Sequence, residues 1–304
     1  MCKVLVSDSI AREGIAILSR NADVVIDDKI TTDALLRNIP DYDALVVRSR
    51  TRVSAPVIDA ATRLRVIGRA GVGLDNIDTD AAARRGITVV NSPVSAMVSV
   101  AEHTIGMMLS LARCIPQADA SLRQGAWEKN KFMGVELSGK TLGIVGLGRI
   151  GSMVAVRAAA FGMHVIAVDP YVTRERALEF GATLIDSLED LLAQSDFISI
   201  HTPLIATTRG LIGENEIAKM KPNARIIFCA RGGVVDEQAL LSALENRKIA
   251  GAALDVFQNE PPGDHPLLKH PNVVVTPHLG AMTHEAQTRA AVDVAEQVVK
   301  ILNA

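Results

Sequence analysis

Short apolar runs alternate with amphipathic stretches along almost the whole chain. The runs are rich in valine and isoleucine and are bounded by Asp, Gly, Pro or Ser, which is typical of strands buried on both faces by helices. Alternating strands and helices indicate βαβ units and therefore parallel sheets. We predict strands at residues 2–7, 23–26, 44–47, 65–68, 88–90, 141–145, 164–168, 197–200, 225–228, 252–255 and 273–276.

The α/β pattern starts twice, so we predict two doubly wound α/β domains with a cleft between them. We place the first boundary in the loop 91–95 and expect the apolar helix 98–113 to cross from one domain to the other. This helix carries a set of methyl-bearing residues that look exposed, namely Val98, Val100, Met107, Met108 and Leu109. The other predicted helices span 11–19, 76–85, 150–161, 188–194, 237–246 and 283–302.

Composition narrows the class of protein. The chain has 304 residues, 48% of them hydrophobic, and 32 Lys plus Arg against 34 Asp plus Glu, so its net charge is close to −2. This balance argues against disorder and predicts no nucleic-acid or membrane partner. No apolar run approaches the ~18 residues of a spanning helix, and the first residues do not resemble a secretory signal. The three cysteines (Cys2, Cys114 and Cys229) are far apart, so we expect a cytoplasmic protein without disulfides or a metal site.

A glycine pattern follows one of the predicted strands and opens a helix. In the sequence GLGRIG at residues 146–151, Gly146 would allow the tight turn, Gly148 would let a pyrophosphate approach the backbone, and Gly151 would let the helix pack against the strand. The helix N-terminus adds unpaired amides and the positive end of the helix dipole. The pattern predicts a dinucleotide site.

Asp169 ends the next predicted strand, about 18 residues after Gly151, which is close to the spacing of a ribose-binding acid. A carboxylate accepts hydrogen bonds from ribose hydroxyls and repels a 2′-phosphate. Since residues 170–173 contain no Arg or Lys, NAD is favoured over NADP. The plainer interpretation is an ordinary turn aspartate beside structural glycines.

Three polar residues follow strand ends in the same predicted sheet, where open parallel sheets place their ligands. Arg231 could hold a carboxylate with two hydrogen bonds, and His278 could move a proton near neutral pH. Glu260, in the loop after the strand 252–255, could brace that imidazole. Each residue alone could instead be a surface charge or a histidine at the edge of the core. Their shared position at one sheet edge favours catalysis.

These motifs resemble those of the D-isomer-specific 2-hydroxyacid dehydrogenases, and the resemblance extends along essentially the whole chain. It is carried by VVRSRTRVSAPVIDAA, VIGRAGVGLDNID, KFMGVELSGKTLGIVGLGRIG, FISIHTPL, CARGGVVDEQALL, AGAALDVFQNEPP and TPHLGAMTHEAQ. It implies a Rossmann NAD-binding domain at residues 95–282, and a discontinuous flavodoxin-like substrate-binding domain at residues 1–94 and 283–304.

The resemblance also assigns roles to residues. It implies Arg231, Glu260 and His278 as the catalytic trio, with His278 as general acid and base. The implied cofactor contacts are Gly146, Gly148, Arg149, Ile150, Gly151, Asp169, Thr202, Pro203, Cys229, Ala230, Arg231, Asp255, His278, Gly280 and Ala281. The implied substrate contacts are Arg48, Ser49, Arg50, Gly71 and Val72, together with Arg231 and His278.

Within the family, the expected reaction is oxidation of 3-phospho-D-glycerate to 3-phosphohydroxypyruvate with NAD, which opens the phosphorylated route to serine. Arg50 and Arg52 add cations suited to a phosphorylated hydroxy or oxo acid, and for Arg52 a solvated charge after a strand is an equally good interpretation. A homodimer formed through residues 98–113 is implied as well. Two alternatives remain open. One is a sister reductase acting on glyoxylate or hydroxypyruvate, and the other is an NAD-responsive scaffold like the transcriptional corepressors of this superfamily.

The sequence departs from the family pattern in two places. Val72 stands where related enzymes usually carry Thr, and 94–96 reads Val-Ser-Ala where Gly-Asn is common. Both changes bear on the choice of substrate and leave the catalytic trio intact. Related enzymes often continue into a C-terminal regulatory domain, which the residues after Leu302 are too few to form. A short form or a catalytic core is therefore expected.

Overall fold

The computed structural model describes all residues from Met1 to Ala304, which form two compact units. The first unit contains Met1–Ala96 and Ala281–Ala304, and the second contains Met97–Gly280. The chain therefore changes unit two residues away from each boundary expected from the sequence. That the first unit binds substrate stays a prediction.

The first unit is built on five parallel strands in the order β2-β1-β3-β4-β5, which is the flavodoxin-like order. Its strands are β1 (Lys3–Val6), β2 (Asp23–Ile26), β3 (Ala44–Val47), β4 (Val66–Arg69) and β5 (Thr88–Asn91). Its helices are α1 (Arg12–Asn21), α2 (Thr32–Asn38), α3 (Ala55–Ala60), α4 (Thr79–Arg84) and α12 (His284–Leu302), with a short 3-10 turn at Ile39–Asp41.

Helices cover both faces of this first sheet because side chains alternate along each strand. Val4 and Val6 of β1 belong to the core cluster that contains Leu18 of α1 and Val298 of α12. Leu5, between them, belongs to the opposite cluster with residues of α2, α3 and α4. All three β1 side chains are buried, which explains the continuous apolar run in the sequence.

The second unit is built on seven parallel strands in the order β12-β11-β10-β9-β6-β7-β8, which is the Rossmann order extended by one strand. Its strands are β6 (Thr141–Val145), β7 (His164–Val168), β8 (Ala182–Leu184), β9 (Phe197–Ile200), β10 (Arg225–Phe228), β11 (Gly251–Leu254) and β12 (Val273–Val275). Its helices are α5 (Met97–Ala112), α6 (Ile115–Arg123), α7 (Arg149–Ala160), α8 (Arg174–Glu179), α9 (Leu188–Gln194), α10 (Glu214–Ala218) and α11 (Glu237–Glu245). Short 3-10 turns lie at Lys129–Phe132 and Pro266–Lys269.

The predicted fold class is confirmed: both sheets are parallel and doubly wound, one flavodoxin-like and one Rossmann-like. The prediction omitted β8 and five helices, namely α2, α3, α6, α8 and α10. None of the helices is both long enough and apolar enough to span a membrane.

Helix α5 corrects two expectations. It does not cross between domains, because it lies within the second unit and packs against α7, β10, β11 and β12. Val100, Met107 and Met108, which look exposed in the sequence, are buried in that unit. The apolar character of α5 therefore comes mainly from covering its own sheet.

Candidate active site

The glycine turn after β6 has the backbone that a dinucleotide-binding loop requires. Gly146 has a φ of +93°, a conformation that favours glycine. A Cβ on Gly151 would lie 2.1 Å from the carbonyl oxygen of Gly146, so only glycine lets α7 start this close to β6. A Cβ on Gly148, by contrast, would meet no atom within 4 Å. The turn therefore leaves open space in front of Gly148.

The amides at the start of α7 face that space. Gly148 is the N-cap residue of α7, and no side chain caps the helix there. Arg149 and Ile150 are its first two residues, so their amides are among those that an α-helix leaves unpaired. Together with the helix dipole they form a site for a phosphate group.

Asp169 lies directly beside the glycine turn. One carboxylate oxygen accepts a hydrogen bond from the Leu147 amide at 2.8 Å, and the other accepts from the Tyr171 amide at 2.8 Å. Each oxygen keeps a lone pair for a ribose hydroxyl. The first cation after β7, Arg174, pairs with Asp186 and is thereby partly neutralised. This arrangement suits NAD better than NADP.

Residues after β9 lie on the other side of the glycine turn. A Cβ on Gly146 would lie 3.1 Å from the methyl group of Thr202. The Thr202 hydroxyl is buried and has no hydrogen-bond partner in the protein, which is the condition of a group that a ligand satisfies. Pro203 follows it and accepts a hydrogen bond from the Thr208 hydroxyl through its carbonyl. The open turn, the unpaired hydroxyl and Asp169 together fit a dinucleotide.

His201 stands between β9 and Thr202, and the sequence analysis did not single it out. Its Nε2 lies 2.8 Å from the Ser199 hydroxyl, and burial lowers the pKa of His201 to about 4. The ring is therefore neutral at physiological pH and is held by its hydrogen bond with Ser199. Its side-chain partner Ser199 lies two residues earlier on β9, and a single histidine after a strand carries no distinct sequence signal.

His278 and Glu260 form the clearest acid–base pair in the second unit. His278 Nδ1 lies 2.7 Å from Glu260 Oε2, and Glu260 Oε1 accepts a hydrogen bond from the Phe257 amide at 3.1 Å. Burial raises the pKa of Glu260, but the hydrogen bonds from His278 and the Phe257 amide lower it more, so the net pKa lies below its usual value. An ionised Glu260 places the proton on Nδ1 and leaves Nε2 for a substrate.

The pair borders a pocket of about 420 Å³. The pocket is lined by Asp255, Phe257, Glu260, Pro261, Pro262, Leu268, Val275, Thr276, Pro277 and His278. Both side chains are partly exposed, His278 at 47% and Glu260 at 37%, so the pair is accessible to a substrate.

Arg231 follows β10 at the same edge of the sheet, after Cys229 and Ala230. It is half-buried and donates a hydrogen bond to the Ala230 carbonyl at 2.8 Å. Cys229 is buried, and burial together with the negative charge of Asp255 raises the pKa of Cys229 to about 12. The thiol stays protonated and therefore lacks nucleophilic reactivity.

The Asp255 carboxylate holds the residues that follow His278. Both amides that follow His278 donate to the Asp255 carboxylate, from Leu279 at 2.7 Å and from Gly280 at 2.9 Å. Asp255 is 1% exposed. It therefore supports the loop, and a direct contact between Asp255 and a cofactor stays a prediction. Ala281, also a predicted cofactor contact, belongs to the first unit.

The predicted substrate residues lie at the carboxyl ends of β3 and β4 in the first unit. The Arg48 amide donates to Asp8 at 2.6 Å, which ties the end of β3 to the residues after β1. Strands β1 and β3 are the two strands between which the strand order of the sheet reverses. Open parallel sheets usually bind their ligands at this point. Ser49 follows Arg48, and the turn Gly71-Val72 follows β4, with the Val72 carbonyl accepting from the Asn91 side chain.

Arg48 and Arg50 have different surroundings. Arg50 donates to the carbonyls of Ser7 and Ile30 and pairs with Asp8 at 3.2 Å, so its guanidinium holds the loop together. The Arg48 guanidinium contacts the weakly accepting sulfur of Met282. Burial lowers the pKa of Arg48 and Asp8 opposes this effect, but a guanidinium stays charged in proteins. Arg48 is therefore better placed than Arg50 to bind an anion.

Comparison with known proteins places the chain in a family. The model of the NAD-binding domain of D-isomer specific 2-hydroxyacid dehydrogenases matches residues 105–280. The chain belongs to this family of NAD-dependent enzymes, and its second unit is the NAD-binding domain. The Rossmann strand order and the glycine turn described above agree with that assignment.

Relatives are similar over nearly the whole chain. It is 52% identical to the D-3-phosphoglycerate dehydrogenase of Methanocaldococcus jannaschii over 99% of its own length and 58% of that protein, and 51% identical to the Mycobacterium tuberculosis enzyme of the same name over 97% and 56%. The chain thus spans little more than half the length of these relatives.

Solved structures agree with the fold. A protein from Thermus thermophilus superposes with a TM-score of 0.90 at 34% identity, covering 99% of this chain and 97% of that one. A glyoxylate reductase from Paecilomyes thermophila gives a TM-score of 0.87 at 34% identity, covering 97% and 93%.

Two glycine substitutions separate cofactor binding from folding. Gly148→Ala places a methyl group in open space, so we expect an unchanged melting temperature and an NADH affinity lowered by about 10- to 100-fold, because the methyl group occupies the room of the pyrophosphate. Gly151→Ala forces a methyl group against the Gly146 carbonyl and should lower the melting temperature as well. Calorimetry and NADH fluorescence titration measure both effects. Equal NADH affinity in Gly148→Ala and the parent chain would contradict this placement of the phosphates.

Proposed function

We propose that the chain oxidises 3-phospho-D-glycerate to 3-phosphohydroxypyruvate with NAD, the first reaction of the phosphorylated route to serine. The hydrogen bond between His278 and Glu260 at the edge of a Rossmann sheet carries the proposal. It supplies a general base where a nucleotide-binding sheet places its ligands. The names of the relatives at about 50% identity support the choice of substrate.

The side chains have separate roles in this reaction. When bound, NAD is the hydride acceptor. His278 Nε2 takes the proton of the C2 hydroxyl as that carbon loses its hydride and becomes a carbonyl. Glu260 holds Nδ1 and stabilises the imidazolium that forms. Arg231 binds the substrate carboxylate and stabilises the charge that develops on the C2 oxygen.

Arg48 is the proposed ligand of the substrate phosphate, because Arg50 is engaged by carbonyls and by Asp8. Loss of a charge-assisted hydrogen bond costs ~1.5–3 kcal/mol, so we expect Arg48→Met to raise KM for 3-phospho-D-glycerate by about 10- to 100-fold with a smaller change in kcat. Steady-state kinetics measure the effect. Arg37→Met, which changes an exposed arginine on α2, is the matched control. An unchanged KM in Arg48→Met would remove Arg48 from the site.

Parallel assays distinguish the proposed activity from its rivals. NADH formation at alkaline pH with 3-phospho-D-glycerate is expected to exceed formation with D-glycerate or D-lactate. Reduction of glyoxylate or hydroxypyruvate, with no activity on the phosphorylated acid, would make the protein a sister reductase. NADH binding without turnover of any of these acids would favour the scaffold alternative.

A homodimer in the cytoplasm completes the proposal. Its contact would include the region of α5 and continue into the segment that follows. In that segment α6 has no buried residue, and the side chains of Leu122 and Trp127 are 57% and 78% exposed. Large apolar side chains that are this exposed are typical of an interface.

Light scattering coupled to gel filtration tests the dimer. The parent chain should have the mass of two chains, near twice 32.4 kDa, and the double variant Leu122→Glu, Trp127→Glu should shift toward one. The exposed Tyr171→Glu variant serves as the control and should keep the parent mass. A parent chain that elutes as a monomer at every concentration would contradict this part of the proposal.

A further inference from the structure

The backbone of His278 is held in a conformation that a histidine seldom adopts. Its φ is +52°, in the left-handed region that favours glycine. Such a residue keeps its geometry only where the surroundings hold it. The direction of the imidazole therefore depends on the bonds that fix the loop Pro277–Gly280, which we call the histidine loop.

Asp255 supplies most of those bonds. Its carbonyl accepts from the His278 amide at 2.9 Å, and its carboxylate accepts from the amides of Leu279 and Gly280. The Ser99 hydroxyl donates to the Gly280 carbonyl at 2.6 Å. Three consecutive amides of the histidine loop are thus tied to one aspartate, which works best as an ionised acceptor.

An ionised carboxylate that is 1% exposed needs further donors. Thr276 donates its hydroxyl hydrogen to Asp255 Oδ1. His103 Nε2 lies 3.2 Å from the same carboxylate oxygen and 3.1 Å from the Thr276 hydroxyl oxygen. Because the threonine hydrogen is used on Asp255, His103 Nε2 must be the donor to both oxygens. His103 lies on α5, far from Asp255 in sequence, and is 21% exposed.

We propose that His103 is a positioning residue for the dehydrogenation, acting through Asp255 on the histidine loop. The proposal rests on the proposed function for its kinetic consequences, whereas its structural consequence is independent of activity. His103 keeps the Asp255 carboxylate ionised and oriented. Asp255 in turn holds the amides on either side of the His278 side chain, so that Nε2 points where a substrate hydroxyl would lie.

The ionisation of the Asp255 carboxylate depends on the groups around it. Burial raises the pKa of Asp255, but the hydrogen bonds from His103, Thr276 and the Leu279 amide lower it more. The titratable groups that face it are His103 from α5, Cys229 after β10, and Glu260. Without His103 the pKa of Asp255 rises, so the carboxylate is lost at a higher pH as the solution is acidified. In the parent chain the carboxylate therefore stays ionised at the pH of the assay and remains the acceptor for the amides of Leu279 and Gly280.

Two substitutions distinguish the hydrogen bond from simple packing. His103→Leu fills similar space without a donor, whereas the amide nitrogen of His103→Gln lies near the position of Nε2 and restores one. His164→Leu and His164→Gln change an exposed histidine of the same unit and are the matched controls. Kinetics use NAD and 3-phospho-D-glycerate from pH 5 to 10. Hydrogen exchange of the peptide that contains Leu279 and Gly280 is followed without substrate.

We expect His103→Leu to lower kcat by about 10- to 100-fold with a smaller change in KM, and to speed exchange in the histidine loop. His103→Gln should recover most of kcat and of the exchange protection. Parent values of both kcat and exchange in His103→Leu would overturn the proposal, as would a Gln variant no better than the Leu variant.

Two further results keep the test decisive. If the circular dichroism spectrum shows that His103→Leu does not fold, His103→Asn replaces it, because its amide is one methylene shorter than that of Gln and does not reach Asp255. If the parent chain has no activity on 3-phospho-D-glycerate, the proposed function fails. Unchanged exchange of the histidine loop in the variant would then overturn the role of His103 separately.

Discussion

The variant His278→Asn is expected to lower turnover of 3-phospho-D-glycerate by about 100- to 10,000-fold, the usual contribution of a general acid–base group. Asparagine tolerates the left-handed backbone at φ +52° better than most residues, so the substitution removes the base with little disturbance of the loop. NADH affinity should change little, because the glycine turn and Asp169 are untouched. Stopped-flow measurement of NADH formation gives the rate, and fluorescence titration gives the affinity.

The control for this variant is His164→Asn, which changes an exposed histidine at the start of β7. It should have the turnover of the parent chain. If His278→Asn retains parent turnover, the proton is transferred by another group. A parallel loss of NADH binding would instead show that His278 supports the cofactor site.

Arg231→Lys is expected to have the second-largest effect, lowering kcat/KM by about 100-fold or more. Lysine keeps the charge but cannot form the two parallel hydrogen bonds that a guanidinium makes with a carboxylate. Since Arg231 is also proposed to stabilise the charge that develops on the C2 oxygen, kcat should fall as well as the affinity. Steady-state kinetics in both directions measure the two parameters.

Arg247→Lys, at an exposed position after α11, is the matched control and should keep the parent kinetics. A rise in KM alone, with kcat unchanged, would contradict a role of Arg231 in charge stabilisation and leave it only a role in substrate binding.

Sequence reasoning predicted the two sheets because their central strands are buried on both faces and therefore read as unbroken apolar runs. Residues 44–47 and 197–200 are such runs, and their bounds match β3 and β9. The strand Ala182–Leu184 has only three residues, too few to show a period. Helix α6 was missed for a different reason. It starts after Cys114, whose φ of +52° is left-handed and separates α6 from α5. A cysteine gives no indication in the sequence that the backbone takes this conformation.

The candidate site was predictable where its residues follow strand ends. Parallel strands bring their carboxyl ends to one edge, and the structure does bring His278 and Glu260 together there. The bond between His103 and Asp255 was not predictable, because it joins a helix and a strand end that are far apart in sequence. The burial of Val100 and Met108 was missed because helical periodicity shows which residues share a face without showing what covers that face.

In the proposed reaction a hydride moves from C2 of 3-phospho-D-glycerate to NAD while His278 takes the hydroxyl proton. The most direct test incubates the chain with NAD and 3-phospho-D-glycerate deuterated at C2, and measures the mass of the reduced cofactor. We expect one deuterium in each NADH formed by the parent chain, and formation at least 100-fold slower with His278→Asn. Reduced cofactor without deuterium, or no reduced cofactor from the parent chain, would contradict it.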